Sequence, residues 1–573
     1  MRRLFAILGA AMLVATACSG STIPIASGAP SGSVAAATDK PVAGGRLVVA
    51  QVGDPKTFQP VISTDTTSSG AWGWVYTGLT RANKDTGETE GQLAKDAPTL
   101  SADGLTLTYT LRDNLLWSDG TPFTGDDYKY TVEAVARSTK TVRKSTIQDI
   151  VGYADYRDGK TDSMSGVVVS ADGKTITVTL TKVFCPGIAG LGGAGAGGLL
   201  PSKTFKSVWD NKTTDIKKNI DDNALNNAPP ASMGPFVFVS STPGTEVRYK
   251  ANPNFFRGKP FVDELIIKNY ADTAAVKAAL LTGEVSYATI QASDYDEVSK
   301  AEALKGYRFP GYGYTYIGWN AKAAKAPWLA SRDVRQALWY GINVDAIYQK
   351  IVFGLAAKQF GHLPKPSWAY PGDSNFNTYP FDVAKSKSLL EKAGAKMGGD
   401  GYYTWTDGKP IAMRIETNSG NTTRETILQI AVEQYKAIGV KIEPVLEAFN
   451  VLLDRTDPGT DYEGFIIGWS LGLDPDSYSI WHSSQQGKGQ FNNVGYSSPV
   501  VDAALVAGRN GPDCSKAARQ KQYAAVDKEL NTDAPYTFLY NQDVLLFMNK
   551  KIQGAAPTTI STTHNIQEWW IKN

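Results

Sequence analysis

The chain is poor in the residues that most often build metal and redox sites. Histidine occurs three times in 573 residues, as His362, His482 and His564, and these share no ligand spacing, so no zinc or other metal centre is expected. Cysteine also occurs three times. Leaving Cys18 aside, Cys185 and Cys514 can either pair outside the cytoplasm or remain as buried thiols, and spacing alone does not choose between these. An excess of one charge is missing as well: 58 Lys and Arg stand against 56 Asp and Glu. Removal of a leader containing Arg2 and Arg3 would leave the two signs equal, with no strong field to draw nucleic acid or an anionic membrane. There is no Walker lysine, no Gly-x-Ser-x-Gly elbow and no His-Glu-x-x-His. Gly190-Leu191-Gly192-Gly193-Ala194-Gly195 matches a dinucleotide fingerprint, with Asp210 where an acidic partner would lie. However, Cys185-Pro186-Gly187 separates it from the preceding strand and Pro201 interrupts the helix it needs, so no nucleotide cofactor is expected. The apolar run over residues 4–15 is too short for a stable spanning helix, and no second candidate span follows.

That run has the flanks of an export signal. It follows Met1-Arg2-Arg3 and ends in Ala15-Thr16-Ala17-Cys18, which resembles the lipobox of bacterial lipoproteins, although Ala15 fills a position more often held by Leu. The resemblance implies cleavage after residue 17, a lipid on Cys18 and a working face outside the cytoplasm. Residues 18–43 are rich in Ser, Gly, Ala, Pro and Thr, with only Asp39 and Lys40 charged. Such a segment buries too little apolar surface to offset its ordering entropy and reads as a flexible spacer.

Aromatic residues are abundant, with 13 Trp and 27 Tyr, many beside Gly, Asn and Asp. Most should be core, and a minority in loops would suit a ligand pocket. Ser101-Ala102-Asp103-Gly104 and Ser170-Ala171-Asp172-Gly173 each sit between alternating apolar runs, a strong hairpin signal. Strand–helix–strand units follow. One runs from 262–268 through a helix capped by Asp272 and ended by Gly283 to a strand over 285–290. Another runs from 411–415 through a helix with Ile427, Ile430, Ala431 and Ile438, stopped by Gly439, to a strand at 440–445. A further amphipathic helix has Ser331 as its cap and Val334, Ala337, Leu338 and Ile342 on one face. The pattern predicts at least two α/β regions, parting near residue 311.

In open α/β sheets ligands bind beyond the carboxyl ends of strands. The strand at 411–416 ends in Thr417-Asn418-Ser419-Gly420-Asn421, and Phe465-Ile466-Ile467 ends in Gly468-Trp469-Ser470-Leu471-Gly472-Leu473-Asp474-Pro475-Asp476. If both strands share one parallel sheet, these loops share a rim offering an indole face, amides, hydroxyls and carboxylates. Asp474-Pro475-Asp476 also reads as a turn with helix capping. Residues two apart in such a turn need not face each other as a glycosidase pair would.

From Gly44 on, nearly the whole chain resembles the family 5 extracytoplasmic solute-binding proteins of ABC importers, the oligopeptide- and dipeptide-binding group. The residues that carry the resemblance fall in the family's order: Gly44-Gly45-Arg46-Leu47-Val48-Val49 with Asp54-Pro55-Lys56-Thr57-Phe58, Trp117-Ser118-Asp119-Gly120-Thr121-Pro122-Phe123-Thr124, Gly234-Pro235-Phe236, Asn252-Pro253, Gly283-Glu284-Val285, Val334-Arg335-Gln336-Ala337-Leu338, Leu363-Pro364 and Phe491-Asn492. The resemblance implies a periplasmic-binding-protein-like α/β fold of two lobes with a ligand cleft between them. Lobe I would comprise residues 44–64, 200–310 and 530–573; a hairpin-rich subdomain would be inserted at 65–199; lobe II would span 311–529. Hinge crossings would lie near 312–316 and 533–540. It further implies a monomer without enzymatic activity or cofactor, delivering a peptide-like solute to permease subunits, with Tyr316, Trp319, Asn418, Trp469, Ser470, Gly472, Asp474, Phe491 and Asn492 as ligand-binding residues. In peptide binders of this family an Asp usually stands three residues after the loop Trp and pairs with the peptide's amino terminus. Here that position is Gly472, so either Asp474 substitutes or the ligand lacks that amine. An oligosaccharide, stacked on Trp469, Trp319 and Tyr316, is the alternative ligand. A secreted carbohydrate-active enzyme is the alternative of a different class.

Overall fold

The computed structural model describes residues 40–206 and 220–572, so the leader, Cys18 and most of the spacer lie outside the described residues. Local chemistry sets the first elements. In each Ser-Ala-Asp-Gly turn the Asp carboxylate accepts from the Ser hydroxyl and from the amide two residues on, while the Gly takes a positive φ, +71° at Gly104 and +73° at Gly173. The turns fold Thr99–Leu100 onto Thr106–Thr110 and Val167–Val169 onto Thr175–Thr179, and the hairpins join in a four-stranded antiparallel sheet. Leu107, Tyr109, Ile176 and Val178 alternate inward and are buried. The helix Gly125–Arg137, started by a reciprocal cap between Thr124 and Asp127, belongs to the same region. The glycines near 190 serve packing: Gly192 lies against Thr80, where a Cβ would overlap the threonine side chain.

The main sheet has twelve strands among the described residues. Arg46–Val52 lies between Glu264–Tyr270 and Tyr287–Thr289 and runs parallel to both. The helix Thr273–Thr282, capped by Asp272 through the Ala275 amide at 2.7 Å, therefore connects two strands that do not touch, because the first strand of the fold intervenes. The second unit is simpler. Ala412–Asn418 pairs in parallel with Lys441–Glu447 on one side and Gly464–Ser470 on the other, and Asn421 caps the intervening helix Thr422–Ala437. Ser331 does precede the helix Arg332–Tyr340, but its side chain makes no capping bond; its carbonyl accepts from the Arg335 amide instead.

The apolar residues divide between separate cores. Buried side chains from Leu47 to Ile267, including those of the hairpin region, form one cluster with Tyr287, Leu546, Met548, Ile566 and Trp569. A smaller cluster around Val276, Leu280 and Phe547 lies beside the same strands. Residues 314–540 form the other large core, which includes Trp319, Trp339 and Trp481. The long strand Tyr536–Asn549 belongs to both bodies. Its first part pairs with Gly313–Trp319, and its last part pairs with Leu304–Pro310 and Tyr287–Thr289. The chain thus passes between bodies near 310–313 and again near 540–543, the second crossing falling later than the family resemblance implied, because Tyr536, Phe538 and Tyr540 still pack in the second core. Cys185 and Cys514, left open by the sequence, form a disulfide. Among the described residues, no helix is long and apolar enough to cross a membrane.

Candidate functional site

Because Ala412–Asn418 and Gly464–Ser470 are parallel neighbours, their carboxyl ends open on one rim. The loops beyond them face the loop 52–69 and the hairpin region, and together they line a cavity of about 820 Å³. That lies within the range of roughly 300–1,000 Å³ common for small-ligand sites. Polar contacts bridge the cleft around it. Lys56 Nζ reaches Asp454 at 2.8 Å, Thr423 Oγ1 donates to Gln291 at 2.8 Å, and the Thr273 amide donates to the Gly420 carbonyl at 3.1 Å. At Gly420 the two bodies come so close that a Cβ would lie 2.7 Å from the Ala271 carbonyl oxygen, and the backbone turns there with φ +82°.

The nine residues singled out by sequence divide by position. Tyr316, Asn418, Trp469, Ser470, Gly472 and Phe491 line the cavity. The half-buried Trp469 indole meets Phe491 edge-to-face at 5.5 Å, and its Nε1 donates to the Tyr536 hydroxyl at 3.3 Å. Tyr316 stacks on Tyr536 at 3.8 Å and is nearly enclosed, so it forms a rigid floor more than a free platform. Trp319, Asp474 and Asn492 lie away from the cavity lining. Trp319 is fully buried and donates to Thr537 Oγ1 at 3.0 Å. Asn492 is fully buried and ties its own loop, accepting from the Tyr496 amide and donating to the Tyr496 carbonyl. Asp474 faces Arg519, which donates to both carboxylate oxygens at 2.8 and 2.6 Å. This bidentate pair accounts for Asp474 structurally and leaves the amine-binding position of Gly472 without a substitute two residues on. Asp476 is on the cavity wall, paired with Arg509 at 2.8 Å, and burial raises its carboxyl above the usual aspartate range despite that partner.

The sequence reading missed the charged groups that matter most here. Arg424, in the first turn of Thr422–Ala437, lines the cavity and donates to Asn418 Oδ1 at 2.8 Å. No carboxylate lies within ion-pair distance of it among the described residues, and burial lowers its pKa. Arg143, on the opposite side, donates to the carbonyls of Pro60 and Ser63 at 3.0 and 2.8 Å, again without a carboxylate, and burial brings its pKa down to about 10. Asp457 also lines the cavity, accepting from the Gly489 amide at 2.7 Å, and burial raises its pKa. Asp65 is occupied as a helix cap by Ser68 and Thr67. Neither arginine carries a motif; the one sequence hint is the position of Arg424 three residues past a helix cap on a loop already marked as a rim.

A cleft between two α/β bodies whose backbones are joined by a pair of strand crossings, and lined by rings, amides and unneutralised charges, defines a two-lobed solute-binding protein. The chain belongs to the bacterial extracellular solute-binding proteins, family 5, whose middle-region profile matches residues 88–490. It is similar to the oligopeptide-binding protein AppA of Bacillus subtilis, 27% identical over 564 residues that cover 97% of this chain and 96% of the relative. The structure of that protein with a nonapeptide superposes with a TM-score of 0.83 at 26% identity, covering 93% of this chain and 100% of the other. NikZ of Campylobacter jejuni, solved with Ni(L-His), has a TM-score of 0.78 at 27% identity, covering 92% and 99%. The family binds solutes and is not enzymatic, as the resemblance implied, which leaves no place for the carbohydrate-active alternative.

Proposed function

We propose that this protein captures a peptide-like solute between its lobes and delivers it to the permease of an ABC importer, held near the membrane by a lipid on Cys18. The observation that carries the ligand reading is the pair of guanidiniums at Arg143 and Arg424, which line the cavity between the lobes with no carboxylate in ion-pair distance among the described residues. Buried cations are costly unless paired, and a ligand carboxylate is the partner they lack. Asp457 offers the complementary acceptor for an amine in place of the acid absent at Gly472. Rings at Trp469 and Phe491 supply apolar and stacking contacts for side chains between those ends. The oligopeptide relatives support the same reading. Tyr316, Asn418, Trp469, Ser470, Gly472 and Phe491 complete the proposed contact set.

Native mass spectrometry of the gently purified protein tests the ligand class: a retained mass that fragments into amino-acid residues is expected, and a hexose series would replace the peptide by an oligosaccharide. Loss of peptide uptake on deletion of the gene tests delivery. Cys18→Ser should release the protein from membranes into the soluble fraction; continued membrane retention would overturn the lipid anchor.

A further inference from the structure

The cavity is lined by residues of both lobes, so its walls part when the lobes separate, and the strand crossings near 310–313 and 540–543 are the covalent paths by which the backbone joins them. The disulfide adds a third. Cys185 follows Phe184, which is buried in the core shared by the hairpin region and lobe I, whereas Cys514 stands between the helices Pro499–Asn510 and Lys516–Asp533, whose Leu505 and Tyr523 are buried in the other core. The bond therefore spans the bodies, 329 residues apart in sequence.

Its surroundings show a built contact. The Cys185 amide donates to the Arg509 carbonyl at 2.8 Å. Asn510 Nδ2 donates to the Val183 carbonyl at 2.8 Å. The Arg509 guanidinium lies between the rings of Phe184 and Tyr478, 4.6 and 4.7 Å from their centroids, donates through Nη2 to the Ser145 carbonyl, and donates through Nη1 to Asp476 at 2.8 Å. One buried side chain on the helix Pro499–Asn510 thus touches the hairpin region, the Tyr478 ring and the carboxylate on the cavity wall.

We propose that Cys185–Cys514 and Arg509 form a latch at the cleft edge, which limits how far the lobes separate and couples that edge to the cavity wall through Asp476. The tether leaves the crossing strands to bend while one edge stays joined, so the cleft opens away from that edge, with cross-cleft pairs such as Lys56 and the exposed Asp454 free to part. Loss of the tether would enlarge the range of opening without removing any ligand contact. The inference takes from the solute-binding reading only that the lobes must part, and it holds for any solute.

Hydrogen exchange on the full chain, stripped of solute, tests this without a ligand. The parent is compared with the double variant Cys185→Ser/Cys514→Ser, with the folded parent reduced by a phosphine should the variant not fold, and with Arg509→Lys. A loss of protection of about tenfold or more is expected in both segments 145–151 and 476–482, with the core strands Glu264–Tyr270 and Ala412–Asn418 unchanged. Arg509→Lys should reproduce the loss around Asp476 with the disulfide intact. Changes confined to 183–187 and 511–516, no change at all, or a uniform rise across both core strands would each overturn the latch, the last by reducing the bond to a general stabiliser. Solute identity from native mass spectrometry stays independent of all these outcomes.

Discussion

Arg424 concentrates the site's chemistry in one side chain. A guanidinium has five N–H donors, and among the described residues only the bond to Asn418 is formed. Replacing it by Gln removes a buried charge that no protein carboxylate offsets, so folding stability should be unchanged or rise slightly, while the ligand loses a charge-assisted bond. Such bonds contribute about 1.5–3 kcal/mol, so Arg424→Gln should weaken binding of the co-purified solute by about ten- to a hundredfold in titration calorimetry. Unchanged affinity would assign the arginine to packing. Trp469→Ala should likewise weaken binding with the melting temperature nearly kept, since the indole is half-buried and among the described residues its Nε1 bonds only to the Tyr536 hydroxyl; an equal loss of ligand-free stability would place it in the core instead. Asp474 gives the opposite pattern. Asp474→Ala strands the largely buried Arg519, and a cost of about 1–3 kcal/mol in unfolding free energy with affinity retained is expected from denaturant titration. The sequence exposed the rim residues because they stand beside turn chemistry at strand ends. It hid the roles of Arg424, Asp474 and Trp319, because whether a charge or ring faces a cavity or a partner depends on chain segments tens to hundreds of residues away.

At the scale of elements, the most legible features were those whose signals are local. Asp-Gly turns, the cap at Asp272 and the alternation around Leu107 and Val178 all rest on neighbours in sequence and formed where their residues demanded, although the cap expected of the Ser331 side chain did not. Pairing was less legible. Nothing between residues 262 and 290 announces that Arg46–Val52 will part the strands on either side. Equally silent was the charge cluster under the cavity-lining helix Phe449–Arg455. There Glu416 is fully buried on Ala412–Asn418, neither carboxylate oxygen has a hydrogen bond, and Arg455 and Arg414 stand 3.4 and 3.9 Å away, each engaged more closely with Glu447 or Glu463. Burial raises the Glu416 pKa above its ordinary value of 4.5. A raised folded pKa means that the unfolded chain releases the proton first, so this contribution to stability is complete below about pH 4.5 and declines as pH rises through the folded value. Glu416→Gln should therefore flatten the fall of melting temperature above about pH 4.5, measured by calorimetry across pH. Curves that stay parallel would show that Arg414 and Arg455 hold the carboxylate ionised.

For the whole molecule, the decisive feature is how little backbone joins the lobes. A family resemblance carried by segments in order along the chain foretold two bodies and an insertion, yet the place where Tyr536–Asn549 changes partners is set by packing in both cores and was read several residues early. The switch point is held by Asn541, which is buried and donates to the carbonyls of Gly311 at 2.7 Å and Gly313 at 2.5 Å, tying one crossing segment to the other. Beside it the Gly311 amide donates to the Gln542 carbonyl at 3.1 Å. Bending at the hinge must carry these paired segments as one unit. In Asn541→Ala both carbonyls lose that donor, at a cost of about 1–3 kcal/mol for buried groups left unpaired. Because these bonds lie at the junction and not inside either core, the loss should appear as easier separation of the lobes more than as unfolding of each. Small-angle scattering of the solute-free variant should give a larger radius of gyration than the parent, with far-ultraviolet dichroism unchanged and solute dissociation faster. An unchanged radius together with a lower melting temperature would instead make Asn541 an ordinary buried amide, and the hinge would have to flex elsewhere along the crossing strands.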